Sequence, residues 1–233
     1  MKKLLIVLFL CVSSAFAQVA PDNLFYKFET SAPPVLNVDV INNYVDREVR
    51  VETKSLKVNN PGEKNESQTE EASLIVSPKS FSLQPNARRT VRFLLKQHPV
   101  EAEEIYRVNF SPVSYSDVNK TAKSGVSIAV LVGAGTLVFA LPLQLNLELS
   151  WQRSGKGFDL INTGNANLLI TLEKSCSNAD SCKETKIIKR LYAGNKFHTD
   201  DAQVLHLIRE SFNGDQDSFV IDTETGKKNF EVY

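Results

Sequence analysis

The sequence predicts an all-β protein built as two β-sandwich domains, and three observations predict it. Short runs in which apolar and polar residues alternate recur along the chain, as strands with one buried face require. Clusters of Pro, Gly and Asn separate them at "NNPGEKNES", "LQPNA" and "SGKG", where such residues bend the backbone without strain. Helical periodicity is scarce. Regular punctuation of this kind reads as antiparallel sandwich, and 233 residues suffice for one large domain or two of about 100 residues each.

The chain opens "MKKLLIVLFLCVSSAFAQ". Two lysines, an apolar run from Leu4 to Val12 and the small-x-small Ala15-Phe16-Ala17 mark residues 1–17 as a secretory signal peptide, with cleavage expected after Ala17. Losing Lys2 and Lys3 takes the 27 basic residues to 25 against 27 acidic ones. A net charge of about −2 offers no global field for nucleic acid or anionic lipid. Cys11 leaves as well, so the mature chain keeps Cys176 and Cys182 of "SCSNADSCK". In an exported chain that pair reads as a disulfide closing a short loop. Zinc would need further ligands, with only His198 and His206 nearby, and the spacing is not the Cys-x-x-Cys of a redox pair.

The strands follow in order. "VLNVDVIN" alternates through Val38 and Val40, and "REVRVETKSLKV" through Val49, Val51, Leu56 and Val58; "RRTVRFLLK" and "EIYRVNFSPV" continue the pattern. Between them, Asn59 to Ser73 is polar and charged and is expected to be an exposed, mobile loop. "HPVEAEEIY", with Glu101, Glu103 and Glu104, is expected to be a solvated loop. After Pro142, Leu145, Leu147 and Leu149, then Phe158 and Leu160, then Leu168, Ile170 and Leu172 read as three further strands. A first domain over 18–143 and a second over 144–233 are therefore expected, with a single long sandwich as the alternative.

The stretch "GVSIAVLVGAGTLVFALP" is the most apolar of the mature chain, and nothing from Ser124 to Leu147 is charged. Its length meets the criterion for a membrane span. Its even positions, however, are mostly β-branched, from Val126, Ile128, Val130 and Val132 to Val138, which in a strand makes one continuous ridge. Gly133 and Gly135 weaken a helix and favour a bend or bulge, and Pro142 ends the run. Three readings stand: a membrane span, a strand of the domain's own core, or a strand whose ridge is lent to another protein's sheet.

Catalytic signatures are absent: there is no Gly-x-Ser-x-Gly, no phosphate-binding loop and no His-Glu-x-x-His. His98, His198 and His206 share no ligand spacing. The chain is read as a non-enzyme.

Taken in order, the signal peptide, "LNVDVINN", "LIVSPKSFSLQPNARRTVRFLLK", "EIYRVNFSPV", "VSIAVLVGAGTLVFALP" and "FDLINTGNANLLI" resemble the periplasmic chaperones of the chaperone–usher pilus pathway, the PapD-like superfamily. The Tyr-Arg of "EIYRVNF", the "NTGN" turn and the cysteine pair resemble its alternate or archaic branch. The similarity covers most of the mature chain. It implies two immunoglobulin-like domains in a boomerang, a periplasmic location, no nucleotide or other cofactor, and as partners pilus subunits and an outer-membrane usher. It also implies that the last long strand of the first domain completes a subunit's fold through Val126, Ile128, Val130 and Val132. Basic side chains between the domains would hold the subunit's C-terminal carboxylate. Arg107 is the first choice for that anchor, with Arg89 and Arg92 as further candidates and Lys27 close to the place of an early-strand arginine. The lysine that better-known members carry near the end of the donor strand has no counterpart between Gly133 and Pro142. An exported β-sandwich hydrolase and a surface adhesin or pilin subunit are the alternative classes. No nucleic-acid partner, metal or membrane insertion is expected, and a ridge without a subunit offers a surface for self-association.

Overall fold

A computed structural model describes residues 17–29, 32–70, 73–117, 131–175, 186–200, 202–210 and 216–230. These form eighteen strands and, among the described residues, no helix. The first ten are β1 (Val19–Pro21), β2 (Phe25–Phe28), β3 (Val35–Asn42), β4 (Arg47–Asn59), β5 (Ser67–Thr69), β6 (Leu74–Ser77), β7 (Ser80–Leu83), β8 (Arg88–Leu95), β9 (Glu104–Asp117) and β10 (Ala134–Ala140). They make one sheet in the order β1-β3-β8-β6 and a second in the order β2-β10-β9-β4-β5, with β7 also paired to β4. The second domain follows with β11 (Leu147–Ser154), β12 (Gly157–Asn162), β13 (Leu168–Ser175), β14 (Lys186–Leu191), β15 (Lys196–Thr199), β16 (Val204–Glu210), β17 (Gln216–Ile221) and β18 (Thr225–Phe230). Its sheets run β15-β12-β11-β18 and β14-β13-β16-β17. The fold is thus all-β with two immunoglobulin-like domains.

Alternation explains the first core. Val38 and Val40 from β3, Val49 and Val51 from β4, Val91 and Phe93 from β8 and Tyr106, Val108 and Phe110 from β9 all point inward and are buried together. Each such side chain contributes roughly 1.5–3 kcal/mol through burial. The described end of the apolar run joins them, because Thr136, Val138 and Ala140 of β10 are buried. Residues 134–140 of that run are therefore strand, and no helix among the described residues is long and apolar enough to cross a membrane. The second core gathers Leu149, Phe158, Leu160, Leu168, Ile170, Leu172, Leu205 and Leu207 in the same manner.

The chain's entry is split between two sheets. Pro21, which has no N–H to donate, ends β1, and four residues later the backbone enters the opposite sheet as β2, parallel to β10 with Phe25 beside Leu137. A buried asparagine then fixes a turn in each domain. Asn42 Nδ2 donates to the carbonyls of Arg47 at 2.8 Å, Leu83 at 3.1 Å and Gln84 at 3.0 Å. Asn162 Nδ2 donates to those of Ala166 at 2.8 Å and Leu191 at 2.9 Å. Both follow the same tetrapeptide pattern, Asp39-Val40-Ile41-Asn42 and Asp159-Leu160-Ile161-Asn162.

Two loop expectations change. The polar segment from Asn59 contains β5, and its Pro61 carbonyl accepts Asn195 Nδ2 of the second domain at 2.8 Å. Gly62, at φ 74°, lies where a Cβ would meet the Tyr192 ring at 3.0 Å. A residue without a side chain lets that ring approach, so the segment, exposed from Gly62 to Glu70 as expected, also touches the second domain. Of the carboxylates expected in a solvated loop, Glu101 is exposed, whereas Glu103 and Glu104 are half-buried: Asn167 bonds the first, and the Tyr106 hydroxyl bonds the second.

Candidate functional site between the domains

Strand parity on β9 sorts its residues into two sets. Even positions Tyr106, Val108 and Phe110 enter the core, so Ile105 and Arg107 face outward. Register then places Phe25, Leu137, Arg107 and Leu56 in one cross-strand row, and Lys27, Phe139 and Ile105 in the next. This outer face is apolar with two cations on it. Phe139, Ile105, Val58 and Leu141 are buried, and Leu145 and Tyr192 pack on them from the second domain. Phe25 remains 61% exposed, with its ring centroid 6.4 Å from that of Phe139.

Arg107 has the least satisfied position on this face. Its Nε is buried and has no hydrogen-bond partner among the described residues, a costly state for a charged donor. Its positive charge is felt by the Tyr192 hydroxyl, where it opposes the upward push of burial on that group. Lys27 reaches Glu29 at 3.0 Å. The structure thus brings Arg107 and Lys27 to one face at the domain junction. Arg89 and Arg92 lie elsewhere, on β8 of the other sheet, where both are exposed. The Arg89 guanidinium lies over Phe81, 5.5 Å from the ring centroid.

A polar network borders the face. The Glu103 Oε2 accepts the Asn167 backbone N–H at 2.9 Å, and its Oε1 accepts Asn167 Nδ2. Arg190 Nη1 donates to Asn167 Oδ1, and its guanidinium carbon lies 5.9 Å from the Phe139 ring centroid. Burial pushes the Glu103 carboxyl up to about 7, against the downward pull of the Asn167 bonds and the Arg190 charge. Glu104 pairs with Lys57 at 2.8 Å and accepts the Tyr106 hydroxyl at 2.5 Å. No signal in the sequence distinguished Glu103, because the groups that bury it come from the other domain.

The neighbouring edge is half covered. β9 pairs with β10 along Ala134–Ala140, whereas β2 covers its other side only from Leu137 to Ala140. Ala134, Gly135 and Thr136 pair with no described strand on that side. The close approach to β9 depends on glycine, since a Cβ at Gly133 would stand 2.1 Å from the Phe110 carbonyl oxygen and one at Gly135 2.6 Å from Asn109 Oδ1. Val132 is 45% exposed. Val126, Ile128 and Val130 lie outside the described residues, as do Cys176 and Cys182. Among the described residues no group of His, Cys, Asp and Glu is arranged to hold a metal ion.

An unfilled cation beside an apolar face and an open strand edge can take an extended chain that ends in an anion. Residues 31–146 match the family described as "Pili and flagellar-assembly chaperone, PapD N-terminal domain". The "Probable fimbrial chaperone EcpB" of Escherichia coli O1:K1 / APEC is 29% identical over 114 residues, 48% of this chain and 50% of that protein. The chain therefore spans about half the length of the curated relatives it matches. Among solved structures, the class 5 fimbriae chaperone CfaA aligns with a TM-score of 0.65 at 19% identity, covering 92% of this chain and 100% of that one. The CsuC–CsuE chaperone–tip adhesion subunit complex from archaic Csu pili of Acinetobacter baumannii aligns at 0.56 and 15% identity, covering 88% and 98%. At these identities the likeness is one of fold.

Proposed function

Because its first domain belongs to the family of PapD-type pili and flagellar-assembly chaperones, we propose that this chain is an exported chaperone that holds pilus subunits in the periplasm and passes them to an outer-membrane usher. It works without nucleotide and without catalysis. The observation that carries the reading is Arg107, whose buried Nε lacks a partner among the described residues on the face shared with Lys27. A subunit's C-terminal carboxylate would satisfy it through a charge-assisted, bidentate contact. From that anchor the subunit's edge would run along the uncovered side of β10, adding a strand by main-chain hydrogen bonds.

The ridge supplies the other half of the recognition. Val126, Ile128, Val130 and Val132 share parity with Val138 and Ala140, which fill this domain's own core. A ridge of one parity would extend from the chaperone's core into a subunit's groove, so the strand serves both proteins. Export follows from the expected cleavage after Ala17, and the domain junction is placed after Leu143.

Co-expression with a small β-rich pilus subunit, followed by capture from periplasm, tests the reading. Wild type is expected to recover the subunit, whereas Ile128→Asp and Val130→Asp abolish recovery, because a carboxylate in an apolar groove is costly to bury. Wild-type recovery by either variant, once each is shown to melt normally, overturns the donor-strand assignment.

A further inference from the structure

Gln18 becomes the mature N-terminus if the leader is cleaved after Ala17, so its role here rests on the proposed export. The fold already holds this residue. Val19, beside it, is fully buried and opens β1 opposite Asn42, and the Gln18 carbonyl accepts the Asn43 N–H at 2.9 Å. Two more bonds tie Gln18 to a single residue just before β10. Its backbone nitrogen donates to the Val132 carbonyl at 3.2 Å, and its side-chain Oε1 accepts the Val132 N–H at 3.0 Å.

Such a two-bond exchange is that of an antiparallel strand pair, except that a side-chain carbonyl replaces the backbone one. The N–H and C=O of one extended residue project from the same strand edge. To meet both, the Gln18 carboxamide has to fold back alongside its own nitrogen. Cleavage removes the Ala17 carbonyl, which Asn43 Nδ2 bonds at 2.8 Å, but leaves the bonds to Asn43 N–H and Val132 in place.

We propose that Gln18 is a modification site: once freed from the leader it cyclises to pyroglutamate, and the lactam clamps Val132 at the entry to β10. The neutral α-amine attacks Cδ and forms the N–Cδ bond. The Cδ–Nε2 bond breaks, and Nε2 leaves as ammonia with a proton taken from the amine. No oxidant or second reactant is needed. An α-amine with an ordinary pKa of about 8 is neutral in a useful fraction of molecules near neutral pH. The Val132 N–H is placed to polarise the Cδ carbonyl and to stabilise the oxyanion formed by attack, and the fold holds the two reacting groups together.

The product suits the site better than its precursor. Its ring keeps one N–H and one C=O side by side, the two groups that Val132 bonds. It also removes an ammonium charge next to fully buried Val19, where partial desolvation would be costly. Val132 is the last of the four ridge positions, so the clamp sets where the ridge leaves the domain.

Intact mass and N-terminal sequencing of protein freshly recovered from periplasm decide the matter. The expected chain begins at residue 18, is one ammonia lighter than its sequence, resists stepwise degradation and is opened by pyroglutamyl aminopeptidase. A chain beginning at Gln18 with a free amine overturns the cyclisation and leaves export standing. A chain that keeps residues 1–17, or begins elsewhere, overturns the cleavage on which both depend. The role of the fold has its own readout. Uncyclised protein, released from a fusion partner, should cyclise at least about tenfold faster folded than denatured at the same pH, a modest share of what one oxyanion donor contributes. Equal rates overturn the clamp. Gln18→Asn cannot close the five-membered ring, and it is expected to stay open to sequencing and to exchange its Val132 amide hydrogen faster than wild type. Unchanged protection at Val132 also counts against the clamp.

Discussion

Arg107 lies on β9 and Glu103 immediately precedes that strand, yet their charges meet opposite surroundings. Arg107 has a buried Nε with no partner among the described residues; Glu103 is enclosed by Asn167 and Arg190 of the second domain. Arg107→Ala is expected to remove most subunit capture without lowering the melting temperature, and Arg107→Lys to restore only part of it, because an ammonium lacks the bidentate fork. Equal capture by all three proteins would remove the anchor assignment. Glu103 makes a prediction about pH. Its folded-state pKa of about 7 lies above the ordinary 4.5, so the native state binds the proton more tightly than the unfolded chain does. Its contribution to stability is therefore full at low pH, falls between about 4.5 and about 7, and is level above. Glu103→Gln should flatten that part of the melting-temperature profile, and identical profiles would contradict the account. The buried asparagines were legible in hindsight from the repeated "DVIN" and "DLIN". Asn162→Ala should cost about 2–3 kcal/mol in denaturant unfolding, since the Ala166 and Leu191 carbonyls lose their donor. Glu103 was not legible, because alternation assigns a carboxylate to solvent and only the second domain's approach buries it.

At the scale of elements, parity makes most strands readable from the sequence alone. Val38 and Val40, Val49 and Val51, and Leu168 and Ile170 are buried as their alternation requires. The same parity resolved the apolar run over residues 134–140, where even positions fill the core and uncharged length was a misleading cue. What parity could not supply was pairing. The short β5 lies in a segment with no apolar alternation and exists because β4 offers it backbone partners. Glycine roles were only half visible. A bend or bulge was expected at Gly133 and Gly135, whereas their close contact with β9 depends on where the Phe110 carbonyl and Asn109 lie. Gly133→Ala should lower stability by about 1–3 kcal/mol, because the added methyl meets backbone that cannot move aside cheaply. An unchanged midpoint in denaturant would show that β10 can shift to accept it.

At the scale of the molecule, Phe139, Ile105 and Val58 with Leu145 and Tyr192 form an apolar joint between the domains, flanked by the Asn195 bond to Pro61 and by the Glu103 network. Tyr192→Ala should loosen this joint, speeding proteolysis of residues 141–146 while each domain's core stays intact. Unaltered cleavage would place the joint's strength in the polar network alone. The two-domain organisation was legible from the strand pattern after Pro142. The joint was not, because its residues come from distant parts of the chain and each looks like an ordinary strand position. The split entry strand has a consequence for how the molecule is made. β2 has its sheet partner in β10, so the first residues of the domain wait for its last ones before the second sheet can close. Long-range pairing of this sort is slow to form. A nascent chain that has emerged only as far as β9 cannot yet bring β2 into that sheet.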